Sequence, residues 1–109
     1  MSPITTHVLD ITFGHPAAGI PVILEFREDQ TQSWIKIGLG STDSGGRIHD
    51  LFPKDYLLKK GLYCLRFDTS RTSSFFPEVS VQFRVTDTHQ HYHIPLLLSS
   101  FGYSTYRGS

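Results

Sequence analysis

The 109 residues predict an all-β protein: two antiparallel sheets packed as a sandwich, seven or eight strands in all, with at most one short helix. Three observations carry this expectation. Apolar and polar residues alternate with a period of two in many short segments, as they do on half-buried strands. Clusters of Gly, Pro, Asp and Ser separate these segments at regular spacing. Only two stretches resemble helices, and both are short.

The elements follow in order. Residues 7–12 alternate and are stopped by Gly14-His15-Pro16. Residues 21–27 set Val22, Leu24 and Phe26 against Ile23, Glu25 and Arg27. A polar turn over 28–33 leads to a strand at 34–39. A loop over 40–46 hands over to Arg47-Ile48-His49, which begins the next strand. Residues 53–60 have a Pro near their start and Gly61 after them, the pattern of a short helix with a glycine stop. Strands are expected at 62–67, 79–85, 89–98 and 103–108, and Asp68-Thr69-Ser70 can cap one turn of helix between the first two.

Length and composition fit one domain spanning 1–109, with 39% apolar and 13% aromatic residues. Ten Lys and Arg balance ten Asp and Glu, so no basic field is available for nucleic acid or an anionic membrane. The lone Cys64 sits in the apolar run Leu62-Tyr63-Cys64-Leu65 and reads as a buried, reduced thiol. No signal peptide is visible, and the longest apolar run is far too short to span a membrane.

Polar groups on apolar strands are the chemical signal. In 89–98, His93, Pro95 and Leu97 share one face while Ile94, Leu96 and Leu98 share the other. Both faces are mostly apolar, so the one turned from the domain's own core needs a subunit or a ligand to cover it. His7, Leu9 and Ile11 share a face in the same way. Two histidines on such faces are either parts of one pocket or unrelated surface groups. Pro95 has no N–H to give, which points to an edge strand or a missing ladder bond. His89, His91 and His93 also lie two apart. They read as a solvated hairpin or as metal ligands, and because no third ligand pattern accompanies them, no metal is expected. An Arg after a turn, such as Arg47, is ordinarily a solvated charge. The end of the chain is unusual, since Phe101, Tyr103 and Tyr106 carry aromatics deep into a terminus that ordinarily frays.

As a set, these segments resemble the 5-hydroxyisourate hydrolase family, the transthyretin-related enzymes of urate degradation. The matching pieces are Thr6-His7-Val8-Leu9-Asp10, Thr42-Asp43 with Gly46-Arg47, Phe75-Phe76-Pro77-Glu78-Val79, His91-Tyr92-His93-Ile94-Pro95-Leu96-Leu97-Leu98-Ser99, and the terminal Tyr106-Arg107-Gly108-Ser109. The resemblance implies a transthyretin-like sandwich that assembles as a homotetramer, a dimer of dimers, around a small purine-derived substrate. It implies hydrolysis of 5-hydroxyisourate to 2-oxo-4-hydroxy-4-carboxy-5-ureidoimidazoline, with His7, Arg47 and His93 catalytic and Tyr106, Arg107, Gly108 and Ser109 binding substrate, without metal or cofactor. Transthyretin carries a lysine, a glutamate and a threonine in place of His7, Arg47 and His93. The alternative is a transthyretin-like carrier that holds a small ligand without turnover. The compartment implied is the cytoplasm first and the peroxisome second, although the chain ends without Ser-Lys-Leu. Two departures stand out: Ser100 occupies a usual proline position and should loosen its turn, and 68–74 is shortened, so the family's helix should shrink to a turn.

Overall fold

The computed structural model describes residues 2–109. Its strands are β1 (Ile4–Asp10), β2 (His15–Pro16), β3 (Pro21–Arg27), β4 (Ile35–Ser41), β5 (Gly61–Asp68), β6 (Glu78–Val85), β7 (Tyr92–Leu98) and β8 (Tyr103–Thr105). They build two four-stranded sheets, ordered β2-β1-β7-β8 and β4-β3-β5-β6. Every neighbouring pair is antiparallel except β1 with β7, which runs parallel and joins the two ends of the chain in one sheet. Among the described residues there is no helix, and therefore none long and apolar enough to cross a membrane.

The period-two pattern becomes the core directly. Ile4 and Val8 of β1, Val22, Leu24 and Phe26 of β3, Tyr63, Leu65 and Phe67 of β5, and Ile94, Leu96 and Leu98 of β7 are buried between the sheets. Each such side chain stabilises the fold by about 1.5–3 kcal/mol when fully buried. Two tyrosines hold turns as well as filling space. The Tyr63 hydroxyl donates to Lys59 O and accepts from Lys59 N. That of Tyr92 treats Asp87 in the same way, which fixes the turn leading into β7.

Three local expectations are corrected, and the choice left open at Pro95 is decided. Arg47-Ile48-His49 does not begin a strand: Arg47 makes one isolated bridge to His7, and the chain then turns so that Ile48, Leu51 and Phe52 bury themselves in the core. Residues 53–60 are not helical; they make a single turn, Tyr56 N to Pro53 O, because Tyr56 and Leu58 pack on the core with the spacing of extended chain. Pro95 is not on an edge strand, since β7 lies between β1 and β8. Its missing N–H falls between the Leu96–Thr105 pair and the His93–Gly108 bridge, where no ladder bond is made, and its carbonyl accepts the Thr105 hydroxyl instead. Ser100 does not simply loosen its turn. Its N–H bonds the Thr12 hydroxyl and its carbonyl accepts from Ser73 Oγ and Phe75 N, tying three segments together. The shortened 68–74 segment is one turn, closed by bonds from Thr72 N and Ser73 N to Thr69 O.

Candidate active site

The first sheet has a core face and an outer face, and the polar groups singled out in the sequence gather on the outer one. Thr5, His7 and Leu9 alternate with the buried Ile4, Thr6, Val8 and Asp10 along β1. The parallel register sets Thr5 beside His93 and His7 beside Pro95. On the far side of β1, an isolated antiparallel bridge sets Arg47 beside His7. On the far side of β7, a second bridge sets Gly108 beside His93. Paired residues in a sheet project to the same side, on strands about 4.8 Å apart. Arg47, His7, His93 and Gly108 thus come from four separate stretches of chain and lie across one face.

Local structure explains each placement. The Arg47 turn is fastened at both ends. The buried Thr42 hydroxyl donates to Ala17 O at 2.6 Å and accepts from Ile20 N at 2.8 Å. The Asp43 carboxylate accepts from Gly45 N and Arg47 N, and Val8 N donates to Gly46 O, which stitches the turn to β1. Gly46 has φ 77°, a conformation that other residues adopt at a cost, and a Cβ there would come within 3.2 Å of His7 Cδ2. The Arg47 N–H bond is the main reason the Asp43 carboxyl titrates below the ordinary range. At the other end of the face, Gly108 N donates to His93 O at 2.8 Å. A Cβ on Gly108 would lie 2.6 Å from His93 Cδ2, so only glycine lets the tail lie this close to the ring.

Between these elements is a groove of about 390 Å³ lined by Thr5, Arg47, His49, His91, His93 and Ser109; His7, bridged to Arg47, is not among the residues that line it. Ligand sites commonly occupy about 300–1,000 Å³, so this one has room for a small molecule. A larger groove of about 630 Å³ between Glu28 and Thr86 has no histidine on its walls. Size does not select the site; the chemistry of its walls does. His93 is half-buried, and burial first, then the Arg47 guanidinium, then His91 and His7, push its pKa below the ordinary histidine value. The ring is thereby kept neutral beside a fixed cation. That pairing can take a proton from water and steady a developing oxyanion.

The terminal tetrapeptide divides. Gly108 and Ser109 belong to the His93 groove. Arg107, expected to bind substrate, turns to the opposite side of the sheet. There its guanidinium bonds Gln90 Oε1 at 2.8 Å and stacks over the Tyr92 ring at 4.5 Å, because side chains alternate and Gly108 takes the outer side. Tyr106 is exposed, and with Arg107 it lines a separate groove of about 250 Å³ between β6 and β8. His89 lies out in the preceding turn, 3.4 Å from Asp87, while His91 stacks on His93 at 6.3 Å between ring centroids. Cys64 is buried, and burial together with nearby Glu25 pushes its thiol up to about 11.

Sequence reasoning missed Thr5. Its hydroxyl is 2.8 Å from His93 Nδ1 and 3.0 Å from His91 Nε2. The only signal was its place two residues before His7, on the same strand face.

The sequence profile of the HIUase/Transthyretin family matches residues 4–108. The 5-hydroxyisourate hydrolase of Salmonella typhimurium is 43% identical over 114 residues, which cover 97% of this chain and 80% of the relative. The solved 5-hydroxyisourate hydrolase of Klebsiella pneumoniae superposes with a TM-score of 0.81 at 33% identity, covering 99% of this chain and all of that one. Transthyretin from Sparus aurata superposes with a TM-score of 0.87 at 29% identity, covering 99% and 97% of the two chains. The hydrolase and transthyretin share this sandwich, so the backbone alone does not separate turnover from binding. On the full-length profile match and these identities, the chain belongs to the HIUase/Transthyretin family.

Proposed function

We propose that the protein hydrolyses 5-hydroxyisourate, opening its six-membered ring to give 2-oxo-4-hydroxy-4-carboxy-5-ureidoimidazoline. The observation that carries this reading is the alignment of Arg47, His7 and His93 across one sheet face, brought about by the His7–Arg47 bridge and the β1–β7 register. A carrier has no use for proton-transfer groups in that position, whereas a hydrolase needs them.

The steps follow from the groups present. A neutral imidazole takes a proton from water as its oxygen bonds to the ring carbonyl carbon. Arg47, always charged and planar, steadies the oxyanion that forms. Collapse of this intermediate expels the ring nitrogen, which accepts a proton, and leaves a carboxylic group. One histidine serves as base and the other protonates the leaving nitrogen. Gly108 and Ser109 close the groove, and the Ser109 hydroxyl holds the water. Within one protomer Tyr106 and Arg107 line the β6–β8 groove rather than this one. The sequence from 1 to 109 acts as one domain, and four copies assemble as two dimers through the face carrying His7, His93, Pro95, Leu97 and Ser104. With its single thiol buried, the protein suits a reducing compartment, the cytoplasm first.

The decisive assay follows the ultraviolet decay of 5-hydroxyisourate generated in place by urate oxidase, corrected for spontaneous decay. Wild-type protein should accelerate it, and His7→Ala, Arg47→Ala and His93→Ala should each lose about 10²-fold or more in kcat while remaining folded. Acceleration equal to the protein-free control would instead favour a small-ligand carrier, as the likeness to transthyretin allows.

A further inference from the structure

We propose that Thr5 and His91 are positioning residues that hold the His93 ring with its proton on Nδ1, leaving Nε2 as the free base facing the groove. This deepens the hydrolase reading and rests on it, since it assigns the base that sequence alone left open between two histidines. The geometry is specific. In the β1–β7 register Thr5 sits directly beside His93, and its Oγ1 is 2.8 Å from His93 Nδ1. The same oxygen is 3.0 Å from His91 Nε2. On the opposite edge, the Gly108 backbone packs against the Cδ2 side of the ring. The imidazole is thus held at its Nδ1 and Cδ2 edges by two neighbouring stretches of chain, and His93 lines the groove.

A hydroxyl has one hydrogen to donate and two lone pairs to accept with. When that hydrogen goes to His91 Nε2, the oxygen can only accept from His93, so His93 must carry its own hydrogen on Nδ1. Its Nε2 then holds a lone pair. When the base takes a proton from water, Nδ1–H still finds its acceptor in Thr5, and the imidazolium forms without any group turning. In the reverse arrangement Thr5 would donate to Nδ1, His93 would carry its hydrogen on Nε2, and that end could not accept a proton. On this proposal His91 carries its own hydrogen on Nδ1, so its Nε2 offers Thr5 an acceptor and selects the first arrangement, and stacking on His93 keeps that Nε2 within reach. The half-buried position of Thr5 shields the bond from water, while exposed His91 can be replaced without disturbing the core. Other candidates lack such a link. The groove at Glu28–Thr86 has no convergent chemistry, and buried Cys64 has neither partner nor access.

The test reads the proton position directly. Nitrogen-edited NMR of histidine-labelled protein, above the pH at which His93 titrates, should find it on Nδ1 in the wild type and in Thr5→Ser. Thr5→Val keeps the shape and removes the hydroxyl. It should move the proton largely to Nε2 and lower kcat about tenfold or more with little change in KM, while Thr5→Ser recovers most of the loss. His91→Ala should give a mixture of tautomers and an intermediate kcat. A wild-type His93 protonated on Nε2 overturns the proposal, as does a Thr5→Val protein with unchanged tautomer or full turnover. Should the wild type fail to hydrolyse 5-hydroxyisourate, the functional reading falls, and the tautomer measurement still decides this one.

Discussion

A histidine can act as a base near neutrality only while it is unprotonated, and the groups that shift His93 all work in that direction. Burial is the largest cause of its lowered pKa, followed by Arg47, then His91 and His7. Thr5 and Gly108 face it from the flanking segments and carry no charge. The sign is unambiguous: each cause disfavours the protonated ring, so the neutral form survives to lower pH than at the ordinary value of 6.5. The acid limb of kcat/KM, which reports the free enzyme, should therefore lie below 6.5 rather than above it. Initial rates across the acid range, each corrected for spontaneous decay at the same pH, measure this. A limb above 6.5 would mean that another group is being titrated. His7 and His93 were legible because strand alternation put a polar ring among apolar neighbours, and the family resemblance gave that oddity a meaning. Thr5 was not legible, since a threonine in a strand is among the least informative residues until its hydroxyl is seen against a ring nitrogen.

At the scale of elements, β3 occupies residues 21–27 as expected, because its alternation is regular and both of its neighbours pair with it antiparallel. The same reading failed at 47–49. Those residues have a strand's composition, but the edge of β1 that they would join is already taken in part by β2, so only the Arg47–His7 bridge fits. A competition for one sheet edge is invisible in a linear pattern. The consequence is functional: Arg47 is placed by a turn rather than by a ladder, and the turn depends on Thr42. Replacing Thr42 by Val leaves Ile20 N–H and Ala17 C=O without their buried partner. Such a loss costs about 1–3 kcal/mol of stability, which urea unfolding should report as a lower midpoint with an unchanged slope. Because the same hydroxyl anchors the turn that carries Arg47, kcat should fall as well, although Thr42 touches no part of the groove. A variant that loses stability but keeps full kcat would show that Arg47 is positioned without this anchor.

At the scale of the whole molecule, the two sheets do not share their burden equally. The inner face of β7 is completed by the opposite sheet, with Ile94, Leu96 and Leu98 in the core. Its outer face has no second sheet to cover it, yet Pro95 is buried and Leu97 half-buried there, beside the half-buried Leu9 of β1. An apolar outer face that also holds the reactive groups is best explained by burial against another copy, which would turn an open groove into a closed pocket and keep bulk water from competing with the proton transfers. The proposed tetramer would therefore complete the site. Leu97→Glu tests this link, since it sets a carboxylate on the outer face without touching the core or any of the proposed acid–base groups. Light scattering should find smaller species than for the wild type, circular dichroism should find the sheets intact, and turnover should drop about tenfold or more, because a charge buried without a partner is costly enough to separate the subunits. If the variant keeps both the wild-type mass and the wild-type rate, that face is not an interface. If it dissociates yet works at full rate, the pocket is complete within one protomer.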